Sequence, residues 1–136
     1  RPMHPLFAQR KPLHAAQLLD QQWVLARHQE LERRALDDLF HQAALQPPEA
    51  NIETTSAVLM KTVVMQSDYL TFLPRELIFW EERAGQLRPL KLIAASWRRI
   101  VGITLRARAA SSPSALAMIE ELKRAAPLGS RVMQDE

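Results

Sequence analysis

Two short stretches carry the chemistry that this sequence offers. Arg27-His28-Gln29 sets a guanidinium, an imidazole and an amide directly before a long amphipathic segment, and Thr54-Thr55-Ser56 sets three hydroxyls directly before an apolar one. Each stands where a helix should begin. The first turn of a helix leaves backbone N–H groups without partners and carries the positive end of the helix dipole. A cation, an imidazole, hydroxyls and two helix starts together suit a small organic anion. The same residues also serve as plain helix caps, each stabilising its helix by about 1 kcal/mol.

Other chemistries lack their residues. The only glycines are Gly85, Gly102 and Gly129, so neither a G-x-G-x-x-G fingerprint nor a P-loop can be built. His4, His14, His28 and His41 stand in different segments without metal-ligand spacing, and there is no cysteine. No metal, cofactor or catalytic residue is expected. Ser56 lacks the G-x-S-x-G surroundings of a nucleophile and reads as a cap. Asp37 and Asp38 read as a solvated pair, and the scattered arginines, interleaved with acids, as a solvated face. Phe79 and Trp80 are adjacent and cannot share one helix face, so one is expected in the core and the other at an interface or cleft edge. Trp23 and Trp97 read as packing residues.

The elements that must position these residues alternate between strand and helix. Residues 22–26, QWVLA, read as a strand. Residues 29–45 place Leu31, Ala35, Leu36, Leu39, Phe40 and Ala43 at the helical period, with Pro47-Pro48 ending the helix. Residues 51–74 read as a βαβ unit: a short strand over 51–53, an apolar helix over 57–65 covered on most sides, and a strand over 69–73 that stops at Pro74. A helix over 75–84 closes at Gly85, a left-handed cap. Strands are expected over 87–92 and 99–106, joined by a small-residue connector over 93–96. Ser112 as N-cap and Pro113 as first helical residue open a last helix, with Ala115, Ile119, Leu122 and Ala126 on one face and Pro127 and Gly129 past its end. Residues 131–136 read as a frayed tail. This alternation predicts an α/β fold with a mostly parallel sheet and flanking helices, and ligands in such sheets bind beyond the carboxyl ends of the strands. Both hydroxyl- and cation-bearing turns then lie at one sheet edge.

At 136 residues, 47% apolar and 24% charged, the chain has the size and composition of one globular domain. The net charge of +3 comes without the interleaved aromatic residues of a single-strand nucleic-acid binder. No apolar run reaches the roughly 18 residues of a membrane span, and no signal peptide is read, so a cytoplasmic, non-membrane protein is expected. The opening at Arg1, inside what reads as an extended segment, leads to the expectation of a longer protein.

The order of segments resembles a known family. HPL near the start, W-V-L followed by a loop and R-R-A-L-D-x-L-F, I-E-T-x-S, V-V-x-x-S-D-x-L-T-x-L-P-R, G-x-L-R-P-L, R-x-x-G-I-T-x-R and S-P-x-A-x-A-x-I-E-x-L are similar, between His4 and Ala126, to the effector-binding domain of LysR-type transcriptional regulators. The resemblance implies a fold like type 2 periplasmic binding proteins, two α/β subdomains with an effector in the cleft between them. Residues 1–92 then form the second subdomain, complete, residues 93–126 the strand and helix that return to a partial first subdomain, and residues 127–136 a tail. It further implies DNA binding through an N-terminal helix-turn-helix that this chain lacks, and assembly as a homodimer or homotetramer. Effector contacts carry over to Arg27 and His28, to Thr54, Thr55 and Ser56, and to Thr71 and Phe72 on the strand that follows. Two departures stand out. Ser67 and Tyr69 occupy a turn that is often glycine in the family, and His28 and Gln29 a loop that often has serine or threonine. Arg27 keeps the preference for an acidic effector. An exported solute receptor of the same fold, or a small α/β enzyme, are the alternatives.

Overall fold

The computed structural model describes residues 1–9, 11–93, 102–105 and 112–125. The chain divides into two units, residues 1–97 and 98–136. The first unit is organised on strand β1 (Val24–Leu25), which runs parallel to β2 (Ile52–Glu53) with Val24 opposite Ile52 and Leu25 opposite Glu53. Residues of one strand point their peptide groups alternately to the two sides, and β1 uses both. The carbonyls of Trp23 and Leu25 accept from Asn51, Ile52 and Thr54 on one edge. On the other, Gln22 and Val24 exchange hydrogen bonds with Leu70 at 2.8 and 2.9 Å, a second parallel pairing. The spatial order is β2, β1, Leu70. The expected strands at 51–53 and 69–73 therefore flank β1, and the second contracts to a single bridge.

Side chains of β1 alternate between two cores. Trp23 and Leu25 join Leu36, Phe40 and Leu70, while Val24 and Ala26 join Met60, Val64 and Leu87. Helix α1 (Leu31–Gln42) supplies the first layer and α2 (Ala57–Gln66) the second, so the sheet is covered on both faces, as the alternating sequence predicts. Complete burial of an apolar side chain such as Val24 or Leu25 stabilises the fold by about 1.5–3 kcal/mol. α2 is not covered on most sides. Met60 and Val64, one turn apart, are buried, whereas Val58 and Leu59 on its first turn are exposed.

The N-terminal segment is tied down by His4, which is buried. Its Nδ1 accepts from the Leu6 N–H at 3.2 Å and its Nε2 lies 2.9 Å from the Asp68 carbonyl, an arrangement that a neutral ring protonated on Nε2 satisfies. The histidine of the HPL motif thus pins the chain entry to the turn after α2.

α1 ends five residues before Pro47. Ala44 stands at φ 56, the Leu45 N–H bonds back to the Phe40 carbonyl and the Ala44 N–H to that of His41. This is the Schellman closure, and it recurs at the end of α3 (Phe79–Arg83), where Gly85 stands at φ 67 with Gln86 and Gly85 bonded to Glu81 and Glu82. The sequence reading places the second stop because glycine marks it and misses the first because alanine does not. A left-handed alanine costs about 1–2 kcal/mol, partly offset by glycine's greater freedom in the unfolded chain. Ala44→Gly is therefore expected to stabilise the protein by about 0.5–1 kcal/mol, read as a higher midpoint in urea denaturation.

The helix expected over 75–84 splits into a 3-10 turn, Arg75–Ile78, and α3. Neither Phe79 nor Trp80 is core: they stack edge-to-face with centroids 5.0 Å apart, and both are exposed. α3 is held by charge instead. Lys61 reaches from α2 to Glu81 at 2.5 Å and to the Leu77 carbonyl at 3.2 Å, and Arg75 bonds Glu82. The Lys61 hydrogen bond holds the Glu81 carboxyl below its ordinary value of 4.5, and the Arg75 hydrogen bond does the same for Glu82. Carboxylates with depressed values stabilise the fold above their unfolded value and lose that contribution as pH falls through the folded one. Thermal midpoints are expected to hold from pH 7 to about pH 5 and to fall below the ordinary value of 4.5. Glu81→Gln should flatten part of that acid limb.

The strand expected over 87–92 is a single parallel bridge between Leu13 and Leu92. In the second unit, residues 102–105 form no regular element, so the described part of the strand expected over 99–106 is not one; the rest of it, Trp97 and residues 126–136 lie outside the described residues. The last helix, α4 (Pro113–Ala125), starts as predicted, with Ser112 Oγ accepting from the Ala115 N–H at 3.2 Å. Leu116, Met118 and Leu122 are exposed on it. Among the described residues no helix is long and apolar enough to cross a membrane.

Candidate functional site

Because β1, β2 and Leu70 run parallel, their carboxyl ends share one edge. The register brings the two predicted turns together there: Thr54 N–H donates to the Leu25 carbonyl at 3.0 Å, and the Arg27 guanidinium approaches Glu53 with Nε 3.9 Å from Oε1.

Within the second turn the three hydroxyls divide their work. Thr54 Oγ1 accepts from the Ser56 N–H at 3.1 Å, and Ser56 Oγ accepts from the Leu59 N–H at 3.3 Å as the N-cap of α2. Thr54 and Ser56 shape the turn. Thr55 is exposed and holds no hydrogen bond among the described residues. It is the hydroxyl left open to solvent.

The first turn behaves differently from the reading of its residues. His28 faces Asp37 on α1, Nδ1 to Oδ2 3.6 Å, and Asp37 also takes the Arg33 Nε at 2.8 Å. Arg33 is buried, its Nη2 donates to the Pro48 carbonyl at 2.9 Å, and its Nη1 is buried without a partner. Asp37 is therefore not a merely solvated acid, nor Arg33 a surface cation. The spacing of an arginine four residues before an aspartate on one helix signals such a pair. Its burial carries no mark in the sequence.

Thr71 and Phe72 follow Leu70 at the same edge, across β1 from β2. Phe72 packs, half-buried, against the core shared by Trp23 and Leu25. Residue parity sets Thr71 with Tyr69 and Leu73 toward the α2 layer, and its Oγ1 is buried without a hydrogen-bond partner. A hydroxyl in that state costs about 1–3 kcal/mol. Glu53, which the sequence reading did not single out, is the acid of the edge. Among the described residues no group of three His, Asp or Glu side chains is placed to hold a metal ion.

In open α/β sheets ligands bind beyond the carboxyl ends of the strands, the edge on which these two turns and the open Thr55 hydroxyl lie. The chain belongs to the LysR substrate binding domain family, whose profile matches residues 1–127. It is 28% identical over 97 residues to the HTH-type transcriptional regulator GalR of Pseudomonas putida, a match covering 71% of this chain and 24% of that protein. To the HTH-type transcriptional regulator GbpR of Azospirillum brasilense it is 35% identical over 74 residues, 54% of this chain and 22% of the relative. The matched stretches thus span about a quarter of each curated relative. No solved structure matches the chain.

Proposed function

We propose that this chain is the effector-sensing part of a LysR-type transcriptional regulator and carries out no catalysis. A small carboxylate effector binds at the carboxyl edge of the sheet. Its oxygens take the Thr55 hydroxyl and the free amide groups at the start of α2, with the Arg27 guanidinium opposite. His28, Thr54 and Ser56 position these groups, and Thr71 and Phe72 form the far side of the edge. Residues 1–92 act as the second subdomain of the family's cleft and residues 93–126 as the return to its first. Effector binding shifts the closure of that cleft and, through a homodimer or homotetramer in the cytoplasm, the spacing of DNA-binding helix-turn-helix domains of the intact protein. The regulator names of both relatives support this reading. The observation that carries it is the parallel register, which supports a shared site for Arg27 and Thr55.

Thr55→Val keeps the shape of the side chain and removes its hydroxyl. In the intact regulator it is expected to raise the effector concentration for half-maximal transcriptional response about tenfold, as loss of a hydrogen bond to a charged group does, with operator binding unchanged. An unchanged effector concentration for half-maximal response, or loss of operator binding by this mutant, sinks the assignment.

A further inference from the structure

We infer that the effector of this edge is a zwitterion, carrying an ammonium group beside its carboxylate, and that Glu53 selects for it. The inference rests on the reading above that the edge takes a carboxylate effector. Leu25 lies opposite Glu53, and Arg27, two residues past Leu25, comes to 3.9 Å from the Glu53 carboxylate. That distance is beyond a hydrogen bond, and the two side chains are 63% and 45% exposed. Both charges are open to a ligand, and neither is committed to a tight contact.

A lone carboxylate arriving at Arg27 therefore meets a like charge beside it. The imidazole of the same turn, His28, faces Asp37 at 3.6 Å rather than Glu53. Among the described residues Arg27 is the ionic partner of Glu53, and Thr55 follows two residues along the same turn. A ligand with carboxylate and ammonium on neighbouring atoms, as in an amino acid, can lie across the pair: its carboxylate toward Arg27 and Thr55, its ammonium toward Glu53. Each charge of the site then gains an opposite partner. The deaminated analogue of the same ligand leaves Glu53 facing its carboxylate.

The test is calorimetric titration of the full-length protein with the common amino acids and their deaminated counterparts, such as leucine against 4-methylpentanoate and phenylalanine against 3-phenylpropanoate. Wild type, Glu53→Gln and Thr55→Val are compared. The expected result is an amino acid binding about tenfold or more tighter than its deaminated partner, a preference that Glu53→Gln reduces to about twofold or less. A deaminated acid that binds as well as its amino acid, a preference unmoved by Glu53→Gln, or failure of every amino acid to bind overturns the inference. If Thr55→Val still weakens binding of the carboxylate in the first case, the effector site stands and only its selectivity falls. Binding indifferent to both substitutions removes the site as well.

Discussion

Asp37→Ala is expected to destabilise the protein by about 3 kcal/mol, because it strips the carboxylate from a guanidinium that has almost no access to water. Arg33 would keep one hydrogen bond, to the Pro48 carbonyl, and hold its charge in the protein with Nε newly unpaired beside an Nη1 that already lacks a partner. Removing the other member has a different outcome. Arg33→Met takes away the charge and the orphaned nitrogen while keeping most of the apolar stem, and Asp37, one-fifth exposed, can turn to solvent and to His28. A buried ion pair is often matched by apolar residues of similar volume, so Arg33→Met should cost about 1 kcal/mol or less. Urea denaturation of the two variants checks the asymmetry. Equal losses would mean that the pair acts through its hydrogen bonds alone and that the guanidinium is better solvated than its burial implies.

This pair also marks where sequence reasoning stops. The helical period over 29–45 locates α1 and its buried Leu36 and Phe40, because an amphipathic stripe records which side meets the sheet. It assigns Arg33 to the solvent side by residue type. The turn at Pro47-Pro48 that brings a carbonyl to the guanidinium is a tertiary event, and periodicity along one helix cannot register it. The Phe79-Trp80 reading fails for a related cause. A hydrophobic residue in a sequence is legible as apolar but not as covered, and α3 is fastened by Lys61–Glu81 and Arg75–Glu82 while its aromatic pair stays outside.

The candidate site was legible in its placement and less so in its charge. Turn residues directly before two helices, joined by a strand pattern, imply a common edge once the sheet is parallel, and the pairing of β1 with β2 is parallel. What the pattern does not reveal is register. With Leu25 opposite Glu53, the last residue of β2 becomes the neighbour of Arg27. A shift by one residue would turn the Glu53 side chain to the other face. The acid beside the cation is a product of pairing between segments about 26 residues apart, and it changes the character of the edge from cationic to mixed.

That edge depends on β1, and Trp23 is the residue whose loss should disturb it most. Trp23→Ala is expected to cost about 3–5 kcal/mol, the range for emptying a buried aromatic site. Trp23 is 3% exposed, packs with Leu25 and Leu70 against α1, and donates its indole N–H to the Leu18 carbonyl at 3.2 Å. Its backbone is equally engaged: the N–H takes the Asn51 side-chain oxygen at 2.8 Å, and the carbonyl accepts from Asn51 and Ile52. Domains of this size are stable by about 5–15 kcal/mol, so the alanine variant forfeits a large share of the total. Trp23→Phe weights the two contributions differently, since it keeps a six-membered ring in the core and loses the indole hydrogen bond together with part of the ring volume, for about 1–3 kcal/mol. Circular dichroism through a urea titration reads both variants. A phenylalanine variant as unstable as the alanine one would shift the weight from packing to the bond with Leu18. Near-wild-type stability of Trp23→Ala would mean that the peptide pairing on both sides of β1 holds the edge without the core beneath it.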